Sequence, residues 1–462
     1  MESKSTMSWG AALLGGMLLA AAHRGIAWCI VPGLLLVFFV LQSEYPLWRL
    51  GCLLGLSESL AIYEVWSIDP SAGFFGMLEF AVFRALMFWV FGRCLKVHQA
   101  SPWLLGGLWS LCEAVHAALP FTVPNVIGEI FIDSPLRSLI GWFGAWGLSG
   151  WLVGSMGALL SRDRCKQSVL YLGAPLLALM AASVLKASDN EQPTAAESQI
   201  VLVRGGATDE DYRRENIALR YLQLSELPES VDLIIWPETA TGKVWNRDYP
   251  WMNDVSSFAA RQPLLLGASR LTEEGSLANG ALYLDESGAQ MLDKYRRVWP
   301  IEQSSAEGAL SRDIQTRFGR ARVLICADAL DPWSTISLAA KPFQVLIVLA
   351  DASRFAGGGL AEMHLRRTRV RALEAGTPAL FVEQSSTLAL IDADGELELL
   401  DKAIREPGIL RVGLSLSDHA ATGGYWLLVW SGMLLALGID WRLRRRQINN
   451  TKISEAANEM PS

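Results

Sequence analysis

Three polar residues in the second half of the chain stand at the ends of strand-like apolar runs. Glu238 follows the run 232–236 after a proline, Lys294 lies near the end of another strand-like segment, and Cys326 closes the run 322–326. Active-site residues of α/β folds gather where the carboxyl ends of strands meet. We therefore expect Glu238, Lys294 and Cys326 to lie together.

A cysteine, a glutamate and a lysine suffice for acyl transfer without histidine. Glu238 would take the proton from the thiol and later return it to the leaving group. Lys294 would lower the pKa of the thiol from its free value of about 8.5 and stabilise the oxyanion of the tetrahedral intermediate. Cys326 would attack the carbonyl and hold the acyl group as a thioester.

Each of these residues, taken singly, also has an ordinary structural interpretation. A lone cysteine at a strand end is most often a small buried hydrophobic residue. Glu238 could be a solvated loop carboxylate, and Lys294 could be one half of a surface ion pair. Their joint occurrence in this order favours the catalytic interpretation.

The three residues belong to a stretch, 188–420, with the composition of a soluble α/β domain. Charge rises there, and short β-rich runs alternate with helical patterns. A length of about 230 residues is ample for a hydrophobic core of its own. The β-rich runs lie at 199–203, 232–236, 264–268, 323–326 and 345–349.

The rest of the chain reads as membrane-spanning, in keeping with 51% apolar and 19% charged residues overall and 18 tryptophans. Residues 1–187 hold seven runs close to the ~20 residues that a helix needs to cross the hydrocarbon core. Residues 421–442 hold an eighth run, and 443–462 form a polar tail. The runs lie near 7–22, 25–41, 47–66, 73–92, 102–119, 138–160, 168–186 and 423–439.

The first run follows Lys4 and could be a cleaved signal peptide. A second apolar run starts directly after Arg24, and no small-residue cleavage site with a polar sequel separates the two. This pattern favours an uncleaved span.

Loop charge predicts the orientation, because Lys and Arg near span ends prefer the cytoplasmic side. With the N-terminus in the cytoplasm, the loops that carry Arg49, Arg93 and Arg162 lie inside, whereas the acidic loop 121–135 lies outside. Seven spans then deliver the α/β domain to the far side of the inner membrane, which is the periplasm in a Gram-negative source. The eighth span returns the chain, so both termini are cytoplasmic.

The motifs around the three residues resemble those of the carbon-nitrogen hydrolase (nitrilase) superfamily, in its membrane-embedded branch typified by apolipoprotein N-acyltransferase. The glutamate motif reads Ile-Trp-Pro-Glu-Thr-Ala at 235–240, the lysine motif Asp-Lys-Tyr-Arg-Arg-Val-Trp-Pro-Ile-Glu at 293–302, and the cysteine motif Ile-Cys-Ala-Asp at 325–328. Downstream, 349–355 is similar to the family's Asn-Asp-Ala-Trp-Phe stretch, and 364–378 is similar to the helix that follows it.

The resemblance implies an αββα sandwich set on a membrane α-helical bundle of about eight spans, with Glu238, Lys294 and Cys326 converging at one end of the sheets. It also implies that Glu302, eight residues after the lysine, and Asp328 are supporting carboxylates. The implied reaction moves a fatty acyl chain from a phospholipid to the cysteine and then to the N-terminal amine of a lipoprotein. No metal or organic cofactor is implied.

Three departures from the family pattern leave the acceptor open. Ala327 and Asp328 stand where the family has Tyr and Glu, and Ala350 and Ser353 replace Asn and Trp. The interval of 32 residues between the lysine and the cysteine is short. One alternative is an amidase or acyltransferase acting on another periplasmic amine, as in relatives associated with plasmid conjugal transfer. Another is a catalytically silent membrane scaffold.

Charge and cysteine spacing exclude other classes of protein. Forty basic residues against 47 acidic residues give a net charge of −7, with no broad basic stretch, so no nucleic-acid partner is expected. None of the six cysteines has the spacing of a zinc knuckle or a CxxC pair.

Two clusters of charged residues also have ordinary interpretations. The arginines within 366–371 are expected on a solvated helix face, paired with Glu362 and Glu374. Glu79 and Arg84 fall within one apolar span, where charge is expensive, so we expect them to form a structural pairing or a polar groove.

Overall fold

A computed structural model of the chain describes most of the N-terminal part and most of the α/β domain. The seventh and eighth expected spans, the tail 443–462 and Glu302 lie outside the described residues. The described residues are 2–41, 46–62, 70–98, 102–119, 125–160, 197–207, 211, 217–245, 249–296, 313–331, 333–334, 342–353 and 359–415.

The N-terminal part is helical, as the sequence predicts. One segment within the described residues, Gly73–Phe91, is long and apolar enough to cross a membrane by length and composition, so the expected number of about eight spans is not confirmed. The main helices here are α1 (Glu2–His23), α2 (Ile30–Leu41), α3 (Leu47–Glu58), α4 (Pro70–His98), α5 (Pro102–Ala117) and α6 (Ser138–Leu160), with a 3-10 segment at Ile127–Asp133.

Charged residues in this helical part are buried in pairs between helices. Arg84 of α4 donates to both carboxylate oxygens of Glu58 in α3, at 2.7 and 2.6 Å. Its guanidinium lies 5.2 Å from the centre of the Trp109 ring. Glu79 lies 3.5 Å from Nε2 of His116 in α5. Glu79 and Arg84 thus each have a structural partner, and both partners lie on other helices rather than within the same span.

The α/β domain consists of two six-stranded sheets with helices on their outer faces. The strands are β1 (Glu197–Arg204), β2 (Leu233–Ile235), β3 (Leu264–Leu271), β4 (Leu277–Asp285), β5 (Gly288–Asp293), β6 (Asp313–Thr316), β7 (Gly319–Ile325), β8 (Val345–Ala350), β9 (Ala379–Glu383), β10 (Thr387–Ile391), β11 (Leu397–Lys402) and β12 (Gly408–Ser415). The helices are α7 (Ile217–Ser225), α8 (Trp251–Ala259), α9 (Ala327–Leu330) and α10 (Gly359–Ala375).

The two sheets have matching strand orders, β12-β1-β2-β3-β4-β5 and β11-β10-β9-β8-β7-β6. In each sheet the three central strands run parallel, namely β1, β2 and β3 in the first and β7, β8 and β9 in the second. The other neighbours are antiparallel. The carboxyl ends of the parallel strands are the places where the sequence puts Glu238 and Cys326.

Alternating side chains along the strands build three apolar layers. Val323 and Ile325 of β7 belong to the core between the sheets together with Ile235 of β2, while Leu324 packs on the other face with Leu365 of α10. Helices α7 and α8 cover the outer face of the first sheet. The order helix, sheet, sheet, helix is the αββα sandwich that the resemblance implies.

Helix α10 also joins the sandwich to the helical part through buried arginines. Arg367 and Arg371 both bind Glu129 of the 3-10 segment, and Arg369 binds Asp133. The side chains of Arg367 and Arg371 are 3% and 0% exposed. The expectation of a solvated helix face is therefore wrong, because the loop between α5 and α6 supplies carboxylates that neutralise these arginines.

Glu374 makes a further connection between the two parts. Its carboxylate accepts a hydrogen bond at 2.8 Å from the backbone N–H of Ala145, next to a kink in α6 where Gly144 has φ +66°. The kink interrupts the helical hydrogen bonds, and Glu374 binds an N–H at that break. The expected pairing of Glu374 is confirmed with Arg371, at 2.8 Å, whereas Glu362 pairs with a lysine of β11.

Replacing Glu129 with Gln should destabilise the purified protein, because two buried guanidinium groups would lose a shared carboxylate. Breaking a buried ion pair costs roughly 3–5 kcal/mol, so the apparent Tm in detergent should fall by several degrees. Glu362→Gln is the matched control, since the Glu362 side chain is 56% exposed and exposed pairs contribute about 0–1 kcal/mol. Equal shifts in the two variants would contradict a structural role for Glu129.

Candidate active site

Glu238 lies in a tight turn directly after β2. The backbone there passes so close to β3 that a Cβ at Gly267 would collide with the Cα of Glu238. Thr239 has φ +57°, a conformation that β-branched residues rarely adopt. Its hydroxyl hydrogen-bonds to the carboxylate of Asp351, which follows β8. The turn is therefore held by a strand of its own sheet and by the end of a strand in the other sheet.

Lys294 follows β5 directly, and its ammonium contacts Glu238. The distance from Lys294 Nζ to Glu238 Oε1 is 3.2 Å, and the two side chains are 3% and 4% exposed. Asn279 of β4 donates from Nδ2 to the same oxygen at 2.7 Å. The carbonyl of Asn279 also accepts from the backbone N–H of Lys294 at 2.8 Å. Lys294 and Asn279 together fix the position of the Glu238 carboxylate.

Cys326 lies at the sharp turn between β7 and the short helix α9. Its φ of +49° and ψ of −107° are rare for any residue with a side chain. The backbone N–H of Cys326 donates to the carbonyl of Leu349 in β8 at 2.7 Å, and the side chain is half-buried at the edge of the core between the sheets. Strained backbone of this kind concentrates at functional sites.

Asp328 connects the segment that carries Lys294 to the segment that carries Cys326. Its side chain is fully buried. One carboxylate oxygen accepts from the backbone N–H of Arg296 at 2.6 Å, and the other accepts from the backbone N–H of Ile325 at 3.0 Å. The aspartate, although one methylene shorter than the glutamate of the family motif, therefore reaches both segments.

Glu383, at the end of β9, is a third buried carboxylate near this end of the sheets, after Glu238 and Asp328. It accepts hydrogen bonds from the backbone N–H of Ala352 at 2.8 Å and from the hydroxyl of Ser386 at 2.6 Å. Burial raises the pKa of Glu383, and the neighbouring Asp351 carboxylate adds to this shift. Its bonds order the turn after Asp351, which in turn holds Thr239.

His364 of α10 is a fully buried polar group that the expected chemistry does not use. Neither ring nitrogen has a hydrogen-bond partner among the described residues. Burial, together with the positive charges of Lys294 and Arg367, lowers the pKa of His364 to about 3. The imidazole is therefore neutral at physiological pH.

The structure brings Glu238 and Lys294 into direct contact and ties the Cys326 turn to the lysine segment through Asp328. Glu302 lies outside the described residues. Its supporting role, like the catalytic roles of the other residues, stays a prediction.

Two residues that contact the site, Asn279 and Asp351, are not predicted from the sequence to do so. Asn279 lies within a strand and belongs to none of the motifs, so no local signal identifies it as the partner of Glu238. Asp351 falls inside the recognised stretch 349–355, but its contact with Thr239 depends on the packing of the two sheets. Both contacts join residues that are distant in the chain.

Residues 198–414 match the carbon-nitrogen hydrolase family. The matched range runs from β1 to β12, so it covers the whole sandwich, and it includes Glu238, Lys294 and Cys326. The chain therefore carries a carbon-nitrogen hydrolase domain.

Curated relatives extend the similarity beyond this domain. The apolipoprotein N-acyltransferase of Pseudomonas syringae pv. tomato is 25% identical over an alignment of 358 positions, gaps included, that covers 69% of this chain and 70% of the relative. The apolipoprotein N-acyltransferase of Shewanella oneidensis is 21% identical over an alignment of 494 positions, gaps included, that covers 87% of this chain and 93% of the relative. A match of that coverage includes much of the helical part.

Two solved structures that resemble the chain each cover slightly less than half of it. XC1258 from Xanthomonas campestris, a CN-hydrolase superfamily protein, is 19% identical and covers 47% of this chain and 90% of its own, with a TM-score of 0.40. Saccharomyces cerevisiae Nit3, a member of branch 10 of the nitrilase superfamily, is 15% identical and covers 48% and 92%, with a TM-score of 0.39.

The buried His364 should make the folded protein sensitive to acid. Its pKa is about 3 in the folded state and about 6.5 in the unfolded chain, so between these values the unfolded state binds more protons. The free energy of unfolding is therefore highest above pH 6.5 and falls below it, by up to about 1.4 kcal/mol per pH unit.

His364→Leu removes this contribution. The drop in apparent Tm between pH 7.5 and pH 5.5 should be smaller in the variant than in the wild-type protein. Identical drops in both proteins would show that His364 is not held neutral by the fold.

Proposed function

We propose that this chain is a membrane-bound N-acyltransferase that moves an acyl group from a phospholipid, through a thioester on Cys326, to an amine such as the N-terminus of a lipoprotein. The observation that carries this proposal is the buried contact between Glu238 and Lys294, tied through Asp328 to the strained turn at Cys326. The carbon-nitrogen hydrolase domain and relatives named apolipoprotein N-acyltransferase support it.

In the first half-reaction, Glu238 takes the thiol proton of Cys326 and the thiolate attacks the ester carbonyl of the phospholipid. Lys294 stabilises the oxyanion of the tetrahedral intermediate. The intermediate collapses by breaking the ester C–O bond, and the leaving alkoxide takes the proton from Glu238. A lysophospholipid leaves, and Cys326 keeps the acyl group as a thioester.

In the second half-reaction, the neutral amine of the acceptor attacks the thioester carbonyl. Lys294 again stabilises the oxyanion, and Glu238 takes a proton from the attacking nitrogen. Collapse of the intermediate breaks the C–S bond, and the thiolate recovers its proton from Glu238. The products are an amide and free Cys326, so the reaction consumes no cofactor.

The proposed setting is the inner membrane, with residues 1–187 and 421–442 supplying the spans and the domain 188–420 in the periplasm. The acidic loop between α5 and α6, assigned to the outer side by loop charge, binds the arginines of α10 through Glu129 and Asp133. Contact between this loop and the catalytic domain supports the placement of both on the same side. Such a position would bring the site to the surface of the bilayer that holds the donor lipid.

A buried Glu238–Lys294 pair argues against the silent scaffold. Desolvation of two charges costs as much as their attraction returns, so a buried pair is a poor device for stability. A scaffold would gain nothing from keeping it beside a strained cysteine turn. The names of the relatives described above give no support to a role in conjugal transfer.

Transfer can be tested with purified full-length protein, vesicles of phospholipid with deuterated acyl chains, and a peptide that begins with a diacylglyceryl-modified cysteine. Mass spectrometry should show a deuterated acyl group on the peptide amine. Cys326→Ala should abolish the product, and Lys294→Met should lower the rate by about 10²–10³. Cys52→Ala is the matched control, because Cys52 is a half-buried cysteine of α3, and it should be fully active.

The same experiment separates the alternatives. Free deuterated fatty acid in place of acylated peptide would identify a hydrolase. No acyl product from the wild-type protein, together with full biological activity of Cys326→Ala, would identify the scaffold.

A further inference from the structure

Arg296 stands two residues after Lys294 and contacts the segment around Cys326 with both its backbone and its side chain. Its backbone N–H donates to Asp328 at 2.6 Å. Its Nη1 lies 3.6 Å from the carboxylate of Asp331, at the end of helix α9. Arg296 therefore connects the lysine segment to the segment that follows Cys326.

The same guanidinium reaches into the helical part of the chain. Its Nη2 donates a hydrogen bond to the carbonyl oxygen of Leu119, just beyond the last turn of α5. Carbonyl groups at the C-terminal end of a helix lack partners within the helix and carry partial negative charge, so they bind cations well. Arg296 thus places a permanent positive charge between the end of α5 and the Asp331 carboxylate.

The surroundings favour a fixed position for this side chain. The guanidinium is 15% exposed, and Asp331 is 2% exposed. Burial raises the pKa of Asp331, while the charge of Arg296 opposes that shift. The planar guanidinium can hold two acceptors at once in a fixed geometry, which a lysine ammonium on a flexible chain does less well.

A second contact links α5 to the region that follows the Cys326 turn. Trp333, two residues after Asp331, donates from its indole N–H to the carbonyl of Ala114 in α5 at 2.9 Å. The C-terminal half of α5 therefore contacts the stretch after the Cys326 turn directly through Ala114, and Leu119, just beyond α5, is linked to it through Arg296. A shift of α5 relative to the sandwich would move this stretch.

We infer that Arg296 is a positioning residue through which the end of helix α5 sets the placement of Lys294 relative to Cys326. This inference rests on the proposed function, in which Lys294 acts on the cysteine. It adds that the helical part does more than anchor the domain, because one of its helix ends completes the support of the catalytic residues. Loss of the Arg296 side chain should let the lysine segment move away from the thiol.

The test is the pH profile of alkylation of Cys326 by iodoacetamide in the full-length protein, followed on the Cys326 peptide by mass spectrometry. Thiolate is the reactive form, so the midpoint of the profile reports how strongly the surroundings favour it. In Arg296→Gln the midpoint should rise by about one pH unit, and the rate at neutral pH should fall about tenfold. Arg296→Lys should give an intermediate shift, because its charge remains.

Arg366→Gln is the matched control. Arg366 also links α10 to the helical part, through the carbonyl of His23 at 3.2 Å and the carboxylate of Asp133 at 3.5 Å. Within the described residues, none of its hydrogen bonds or ion pairs involves the lysine segment or the cysteine turn. Its alkylation profile should match that of the wild-type protein. Equal shifts in Arg296→Gln and Arg366→Gln would overturn the inference, as would an unchanged profile in Arg296→Gln.

Two further measurements keep the test decisive. If Arg296→Gln fails to fold, Asp331→Asn removes the charge partner with little change of shape and should shift the midpoint in the same direction. An unchanged midpoint in Asp331→Asn would then overturn the inference. Alkylation needs no acyl donor, so it tests the positioning role separately from transfer. A shifted profile in Arg296→Gln, together with a wild-type protein that transfers no acyl group, would refute the proposed function and leave the positioning role intact.

Discussion

The geometry of the site depends on one buried carboxylate, that of Asp328. Glu238 and Lys294 come from the first sheet and Cys326 comes from the second, and apolar packing between sheets is non-directional. Hydrogen bonds to a carboxylate are directional and stronger than neutral ones. Asp328 accepts hydrogen bonds from the backbone N–H of Arg296, beside the first sheet, and of Ile325, in the second sheet. These bonds set the distance between the lysine segment and the cysteine turn more precisely than apolar packing does.

A second constraint comes from the connection between α5 and α6. Leu119 at the start of this connection binds Arg296 beside the proposed catalytic residues, while Glu129 further along it binds the arginines of α10. This connection therefore holds the sandwich at both of its ends, in addition to the contacts that Trp333, Glu374 and Arg366 make with the helical part. An enzyme that draws its acyl donor from a bilayer needs such a fixed relation, because a flexible tether would not hold the thiol at a defined height above the lipid.

Local patterns predict much of this structure. The β-rich runs around 199–203, 264–268 and 345–349 correspond to β1, β3 and β8, because alternation and β-branched content are properties of neighbouring residues. The expectation of a solvated face for the α10 arginines is wrong, because the carboxylate that neutralises the buried Arg371 belongs to Glu129, 242 positions away. The contact between Asn279 and Glu238 is not predicted from the sequence for the same reason. Partners brought together by tertiary packing leave no periodic signal at either position.

The proposed mechanism requires Cys326 to carry the acyl group, and mass spectrometry of the Cys326 peptide can detect that group. The protein is purified with its membrane lipids and analysed with and without neutral hydroxylamine, which cleaves thioesters, with Cys326→Ala as control. We expect a fatty acyl mass on Cys326 that hydroxylamine removes and that the variant lacks. A bare Cys326 thiol after incubation with phospholipid vesicles would rule out a thioester route through this cysteine.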